Sequence, residues 1–123
     1  LSILHFNLGA GHRGTGNTSA AIVRMEQALD YDSTLLKAIN LLGAMYHEQG
    51  DLTNAKRNYL RALRVQPDYA NAHFNLGAVA WAQNDIDSAC RWFEKAVVLD
   101  SANVHFRIWR DRARQRAGSG AHR

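Results

Sequence analysis

The sequence predicts an all-helical, right-handed solenoid: three helical hairpins of 34 residues followed by a closing helix. Three observations predict it. The hexapeptide His-Phe-Asn-Leu-Gly-Ala stands at 5–10 and again at 73–78, with Ile39-Asn40-Leu41-Leu42-Gly43-Ala44 one period from each. The rest of the register follows without insertion. Leu8-Gly9, Leu42-Gly43 and Leu76-Gly77 are followed by Ala21, Ala55 and Ala89, by the bulky Met25, Tyr59 and Phe93, and by Ala28, Ala62 and Ala96. Small residues recur where two helices must approach closely and bulky ones fill the gap between successive hairpins, so each unit buries its apolar face only by stacking on the next. The turns agree: Gln49-Gly50-Asp51 and Gln83-Asn84-Asp85 each join a residue suited to a left-handed C-cap to an acid near the next helix N-terminus.

In chain order, repeat 2–35 should hold helices near 2–13 and 18–31, repeat 36–69 helices near 36–49 and 53–65, and repeat 70–103 helices near 70–83 and 87–99. Gly11 and Gly14 each weaken the first helix by about 1 kcal/mol relative to Ala, so the first repeat should be the softest. A last helix, 104–116, continues the register and runs out near Arg116 and Ala117. Phe106 and Ala113 fall at its core positions, but Arg110-Asp111 replaces the Leu-Gly pair. That pattern suits a capping helix over 104–117, one face packed on the third hairpin and the other in water. Gly118-Ser119-Gly120 then reads as linker, with 118–123 a flexible tail in a single domain of 1–123.

These residues resemble the tetratricopeptide repeat family, which pairs Leu-Gly and an aromatic on one helix with Ala, an aromatic and Ala on the next. The resemblance covers 2–103 and is best in the middle unit, which has Tyr46, Gly50-Asp51, Ala55, Tyr59, Ala62 and Pro67 in place. His5, Ile39 and His73 stand where the family has a large aromatic, Asn84 replaces the turn Gly, and Ser33 and Ser101 replace the Pro.

Composition sets the class of molecule. The chain of 123 residues is 46% apolar and 21% charged, ordinary for one domain with a sizeable core. No apolar run is long enough to span a bilayer. The start, Leu1-Ser2-Ile3, has neither an initiator Met nor the order of a signal peptide, and reads as a piece of something longer. Cys90, the single cysteine, implies no oxidising compartment, and a cytoplasmic location is the simplest expectation. The formal charge of +4 is unevenly placed: residues 1–103 carry nine basic and ten acidic side chains, whereas 104–123 carry six Arg against Asp111.

Several motifs are weighed and set aside. Gly9-Ala10-Gly11-His12-Arg13-Gly14 spells a dinucleotide fingerprint, with Asp30 and Asp32 near the acidic distance, but its register recurs without the other glycines and no parallel sheet is available. Of the six histidines, His5 and His73 share one repeat position and none has the spacing of a closed metal site, so no metal or cofactor is expected. Cys90 has no predicted activating neighbour and reads as inert. No catalytic set stands out, and the chain is expected not to be an enzyme.

The resemblance implies a concave groove lined mostly by the first helix of each hairpin. Carried over by register, its rows are Ile3, Lys37, Asn71; Phe6, Asn40, Phe74; Ala10, Ala44, Ala78; Arg13, His47, Trp81; and Gly14, Glu48, Ala82, with Asn7, Leu41 and Asn75 beside them. The alanine row leaves space for a ligand backbone, the amides of Asn7, Asn40, Asn71 and Asn75 can donate and accept to peptide units, and Phe6, Phe74 and Trp81 supply apolar contact. The competing reading makes those aromatics inter-helix packing. Repeats that grip the acidic C-terminus of heat-shock chaperones place Lys, Asn and Arg where this chain has Phe6, Ala10, Leu41, Asn71 and Asn75, so that clamp is absent. The His-Phe-Asn-Leu-Gly run is more similar to the Asn-ladder repeats of O-linked N-acetylglucosamine transferase, although only Asn7 and Asn75 hold the ladder position and Leu41 interrupts it.

A protein or peptide partner held by Phe6, Asn7, Arg13, Lys37, Asn40, His47, Asn71, Phe74, Asn75 and Trp81 is therefore the leading expectation. Two alternatives stand beside it: the substrate-recruiting segment of a larger enzyme such as a glycosyltransferase, and a nucleic-acid or anionic-membrane adaptor working through Arg107, Arg110, Arg112, Arg114 and Arg116. The second is disfavoured because a charge run is usually a solvated face.

Overall fold

The computed structural model describes residues 18–32 and 35–121. Among them the chain forms six helices: α1 Thr18–Tyr31, α2 Leu36–Glu48, α3 Leu52–Val65, α4 Ala70–Ala82, α5 Ile86–Leu99 and α6 Val104–Ala121. No strand occurs among the described residues. The fold class is the one that the 34-residue period predicts, all-α and built of helix-turn-helix hairpins of the solenoid kind. The expected helix at 2–13, and with it the softness of the first repeat, lies outside the described residues. The helices gather in two compact units that divide between Gln66 and Pro67.

In the first unit α2 packs against both α1 and α3. Its core consists of Ala21, Ile22, Met25, Ala28 and Leu29 on α1, Ala38, Ile39, Leu42 and Met45 on α2, and Ala55, Tyr59 and Ala62 on α3. Gly43 lets the α2 backbone meet the Tyr59 ring: a Cβ built on it would lie 2.6 Å from Tyr59 Cε1. The α2–α3 turn passes through Gly50 at φ 78°, in the left-handed region, and Asp51 caps α3 by accepting from the Asn54 backbone N–H at 3.1 Å. Tyr46 and Gln49 tie α2 to α1 through hydrogen bonds to Glu26 and Ser19.

The second unit repeats this plan. Gly77 on α4 faces Phe93 on α5 as Gly43 faces Tyr59, with a built Cβ 2.5 Å from the ring. Asn84 takes the turn position at φ 60°, and Asp85 caps α5 by accepting from Ser88 N–H at 3.2 Å. His73, 7% exposed, fills the place of the family's large aromatic: its Nε2 lies 2.9 Å from the Pro67 carbonyl oxygen and its ring 5.7 Å from Trp92. A buried N–H beside a carbonyl donates to it, which makes a structural role for this histidine the natural one.

Helix α6 packs on α5 and buries Phe106 and Ala113 while leaving Ile108, Arg112 and Arg114 exposed. One end departs from expectation. The helix continues through Ala121 instead of stopping near Arg116 and Ala117, so Gly118-Ser119-Gly120 is helical. Glycine lowers helix stability by about 1 kcal/mol but, unlike proline, leaves the hydrogen-bond ladder intact.

Candidate functional site

Phe6, Asn7 and Arg13 of the expected groove, together with Ile3, Ala10 and Gly14, lie outside the described residues. The remaining positions sit on α2 and α4, and the spacing of three and four residues puts each set on one side of its helix. On α2, Lys37 is exposed and Asn40, Ala44 and His47 are half-buried, beside a buried stripe of Ala38, Ile39, Leu42, Gly43 and Met45. On α4, Asn71 is exposed and Phe74, Asn75, Ala78 and Trp81 are half-buried, beside Ala72, His73, Leu76, Gly77, Val79 and Ala80. Each helix thus turns its apolar stripe inward and carries a stripe of amide, alanine and larger side chains toward the surface.

The two aromatic members on α4 differ from a simple groove lining. Phe74 stacks on Phe106 at 4.8 Å between ring centres and touches Phe93 and His105, both at 5.1 Å. It joins α4 to α5 and α6, the packing role weighed for it above. Trp81 meets Trp109 edge-on at 5.4 Å and 84° while keeping one flank on an open cleft of about 330 Å³, whose other walls are Arg112, Gln115 and Arg116. The Arg116 guanidinium lies 5.5 Å from the Trp81 ring centre and that of Arg112 lies 4.9 Å from Trp109. Arg116 also donates to Asn84 Oδ1 at 3.4 Å.

Sequence reasoning did not include this cleft in the groove, although a signal for it existed. Adding one more period to Ala78, Trp81 and Ala82 lands on Arg112, Gln115 and Arg116. The residues that complete the rows were hidden inside what read as a charge run.

Reactive chemistry is not favoured at the thiol. Burial, then the nearby carboxylates of Glu94 and Asp87, push Cys90 above its ordinary value and keep it protonated at neutral pH. No group of three or more metal-ligating side chains comes together among the described residues. None of the described helices is long and apolar enough to cross a membrane.

Comparison with known proteins bears on the repeats and the fold. A family model described as a TPR repeat matches residues 43–84, and one described as a tetratricopeptide repeat matches 70–103. The peptide N-acetylglucosaminyltransferase of Giardia intestinalis is 27% identical over 103 residues, covering 81% of this chain and 7% of that protein. The Sgt2 TPR domain from Aspergillus fumigatus superimposes with a TM-score of 0.92 at 18% identity, over 99% of this chain and 82% of that one. The first TPR of Spaghetti (RPAP3), solved with an HSP90 peptide, gives 0.87 at 16% identity, over 95% and 93%. The chain spans 17%, 49% and 42% of three further curated relatives, less than half of each. With the repeat register, the hairpins and two matching family models in agreement, residues 43–103 are tetratricopeptide repeats.

Proposed function

We propose that the chain is a protein-interaction module that takes a peptide segment on the surface stripe carried by the first helix of a hairpin, as α4 carries it. The observation that carries the reading is on α4, where Asn71, Asn75 and Ala78 stay clear of the buried stripe although the rest of the helix is strongly apolar. A small residue lets a ligand backbone approach, and a neighbouring amide can donate to and accept from the same peptide unit. Ala44 with Asn40 repeats the combination on α2. The Spaghetti domain, a protein of like fold solved with an HSP90 peptide, supports a peptide as the kind of ligand. Asn71, Asn75 and Leu41, where a chaperone-tail clamp would need other side chains, argue against that particular ligand.

The similarity to the Giardia transferase supports a second reading, in which the same face recruits substrates for a catalytic domain outside this chain. Both readings put the ligand on the same stripe. Peptide phage display against the chain, followed by calorimetry with a selected peptide, tests them together. Asn75→Ala should weaken binding by about 1 to 2 kcal/mol, the loss expected for a backbone-directed amide. Unchanged affinity for Asn75→Ala, with collapse for Arg114→Ala, would move the site to the basic helix and end the proposal.

A further inference from the structure

Of the five arginines on helix α6, the four at alternate positions from Arg110 to Arg116 are treated by the structure in two ways. Arg110 pairs with Asp111 at 3.0 Å and Arg114 with Glu94 at 2.9 Å. Arg112 and Arg116 find no carboxylate among the described residues, and lie against indoles instead. They are one turn apart on the same side, so their charges repel. They are also the pair that walls the cleft beside Trp81, with Gln115 between them.

A guanidinium over an aromatic ring keeps edge N–H groups for a carboxylate, which an Arg edge can meet with two parallel hydrogen bonds; Arg116 spends one of its five N–H groups on Asn84 Oδ1 and has the others left. An anion seated between Arg112 and Arg116 would relieve their repulsion. Gln115 could donate a further bond, and Trp81 would cover the methylene groups of an acidic side chain. The cleft is open, so a chain can enter and leave it, which suits a residue within a peptide better than a chain end.

We propose that this cleft is an acidic-side-chain subsite, taking an Asp or Glu of the peptide whose backbone crosses α4 at Ala78. The proposal rests on the peptide reading above and adds a chemical requirement on the ligand. Two observations support it independently: the charge left uncompensated at Arg112 and Arg116, and the continuation of the α4 row onto α6, since Arg112, Gln115 and Arg116 stand one period beyond Ala78, Trp81 and Ala82. The subsite uses none of the residues at the chaperone-tail clamp positions, which here are neutral.

The test uses the full chain and a synthetic array of decapeptides, random except for a central Glu or Gln, each made with an amidated and with a free C-terminus. A labelled oligouridylate serves as the nucleic-acid probe. Amidated Glu peptides should be preferred over their Gln counterparts by about tenfold or more, the advantage of a charge-assisted hydrogen bond over a neutral one. Arg112→Gln/Arg116→Gln should abolish that preference while still binding Gln peptides. Asn75→Ala should weaken both sets equally and leave the preference intact. If the double variant melts early, Arg116→Gln alone should at least halve the preference. Peptides that bind, respond to Asn75→Ala and show no preference for Glu would overturn the subsite and leave the peptide reading standing; no peptide binding at all would overturn both. A preference that belongs to free C-termini, survives loss of the arginines, or gives way to tight oligouridylate binding also overturns it.

Discussion

Gly77→Ala should destabilise the protein, although the same change on an ordinary helix surface stabilises. Replacing Gly by Ala within a helix is worth about 1 kcal/mol in the helix's favour. At Gly77 the new Cβ would lie 2.5 Å from both Phe93 Cδ1 and Cε1 and 3.2 Å from Cγ, and Phe93 is only 1% exposed. The ring cannot swing into solvent, so α4 and α5 must separate or the ring must leave its rotamer. Overpacking of this kind costs about 2 to 3 kcal/mol, toward the upper end of the range for an inserted carbon in a packed core. After subtraction of the propensity gain, the net loss is about 1 to 2 kcal/mol. Gly43→Ala should behave alike, since its Cβ would meet Tyr59 at 2.6 Å and Tyr59 is 2% exposed. Gly118, with nothing within 4 Å, is the control and should become more stable by up to about 1 kcal/mol when changed to Ala. Urea denaturation followed by helical circular dichroism reads all three. Gly77→Ala and Gly43→Ala at or above wild-type stability would refute the close helix approach from which the register is argued.

Four further expectations follow from the geometry. Asp85→Ala removes the side-chain acceptor for Ser88 N–H and should lower stability by about 1 kcal/mol in the same denaturation assay, with Asp85→Asn recovering most of it. Burial, then the hydrogen bond and charge of Glu26, push the Tyr46 phenol from 10.0 up to about 12. The unfolded chain therefore releases this proton first, so the advantage of wild type over Tyr46→Phe should be full below pH 10 and shrink as pH rises toward about 12, measured by denaturation across that window. Trp81→Ala should lose about 2 kcal/mol or more of peptide affinity by calorimetry and also lower the melting temperature, because Trp81 packs on Trp109. Arg114→Ala breaks only an exposed pair with Glu94 and should change stability by less than about 1 kcal/mol.

Most of the fold was legible because a repeat protein writes its contacts at a fixed interval. Gly43 and Gly77 share a position, and so do Tyr59 and Phe93; the period pairs them before any coordinate does. Asp51 and Asp85 were readable as acids at helix starts, and both cap. The end of α6 was not readable, because Gly118-Ser119-Gly120 has the composition of a linker and only a modest penalty against helix. Of the candidate site, the α2 and α4 stripes followed from the register, whereas the cleft did not. Arg112 and Arg116 differ from Arg110 and Arg114 through contacts with Trp109, Trp81, Asp111 and Glu94, and composition alone treats all four alike. Phe74 could have served either groove or core, and its stack on Phe106 depends on where α6 lies.

The central claim is that a peptide lies on the surface stripe of α4. Backbone amide chemical-shift mapping of the chain with a display-selected peptide tests it most directly. Perturbations should concentrate at Asn71, Asn75, Ala78 and Trp81 on α4, while Lys37, Asn40, Ala44 and His47 report whether α2 takes a peptide in the same way. Perturbations confined to the exposed sides of α3 and α5, around Lys56, Arg57, Arg91 and Lys95, would contradict it.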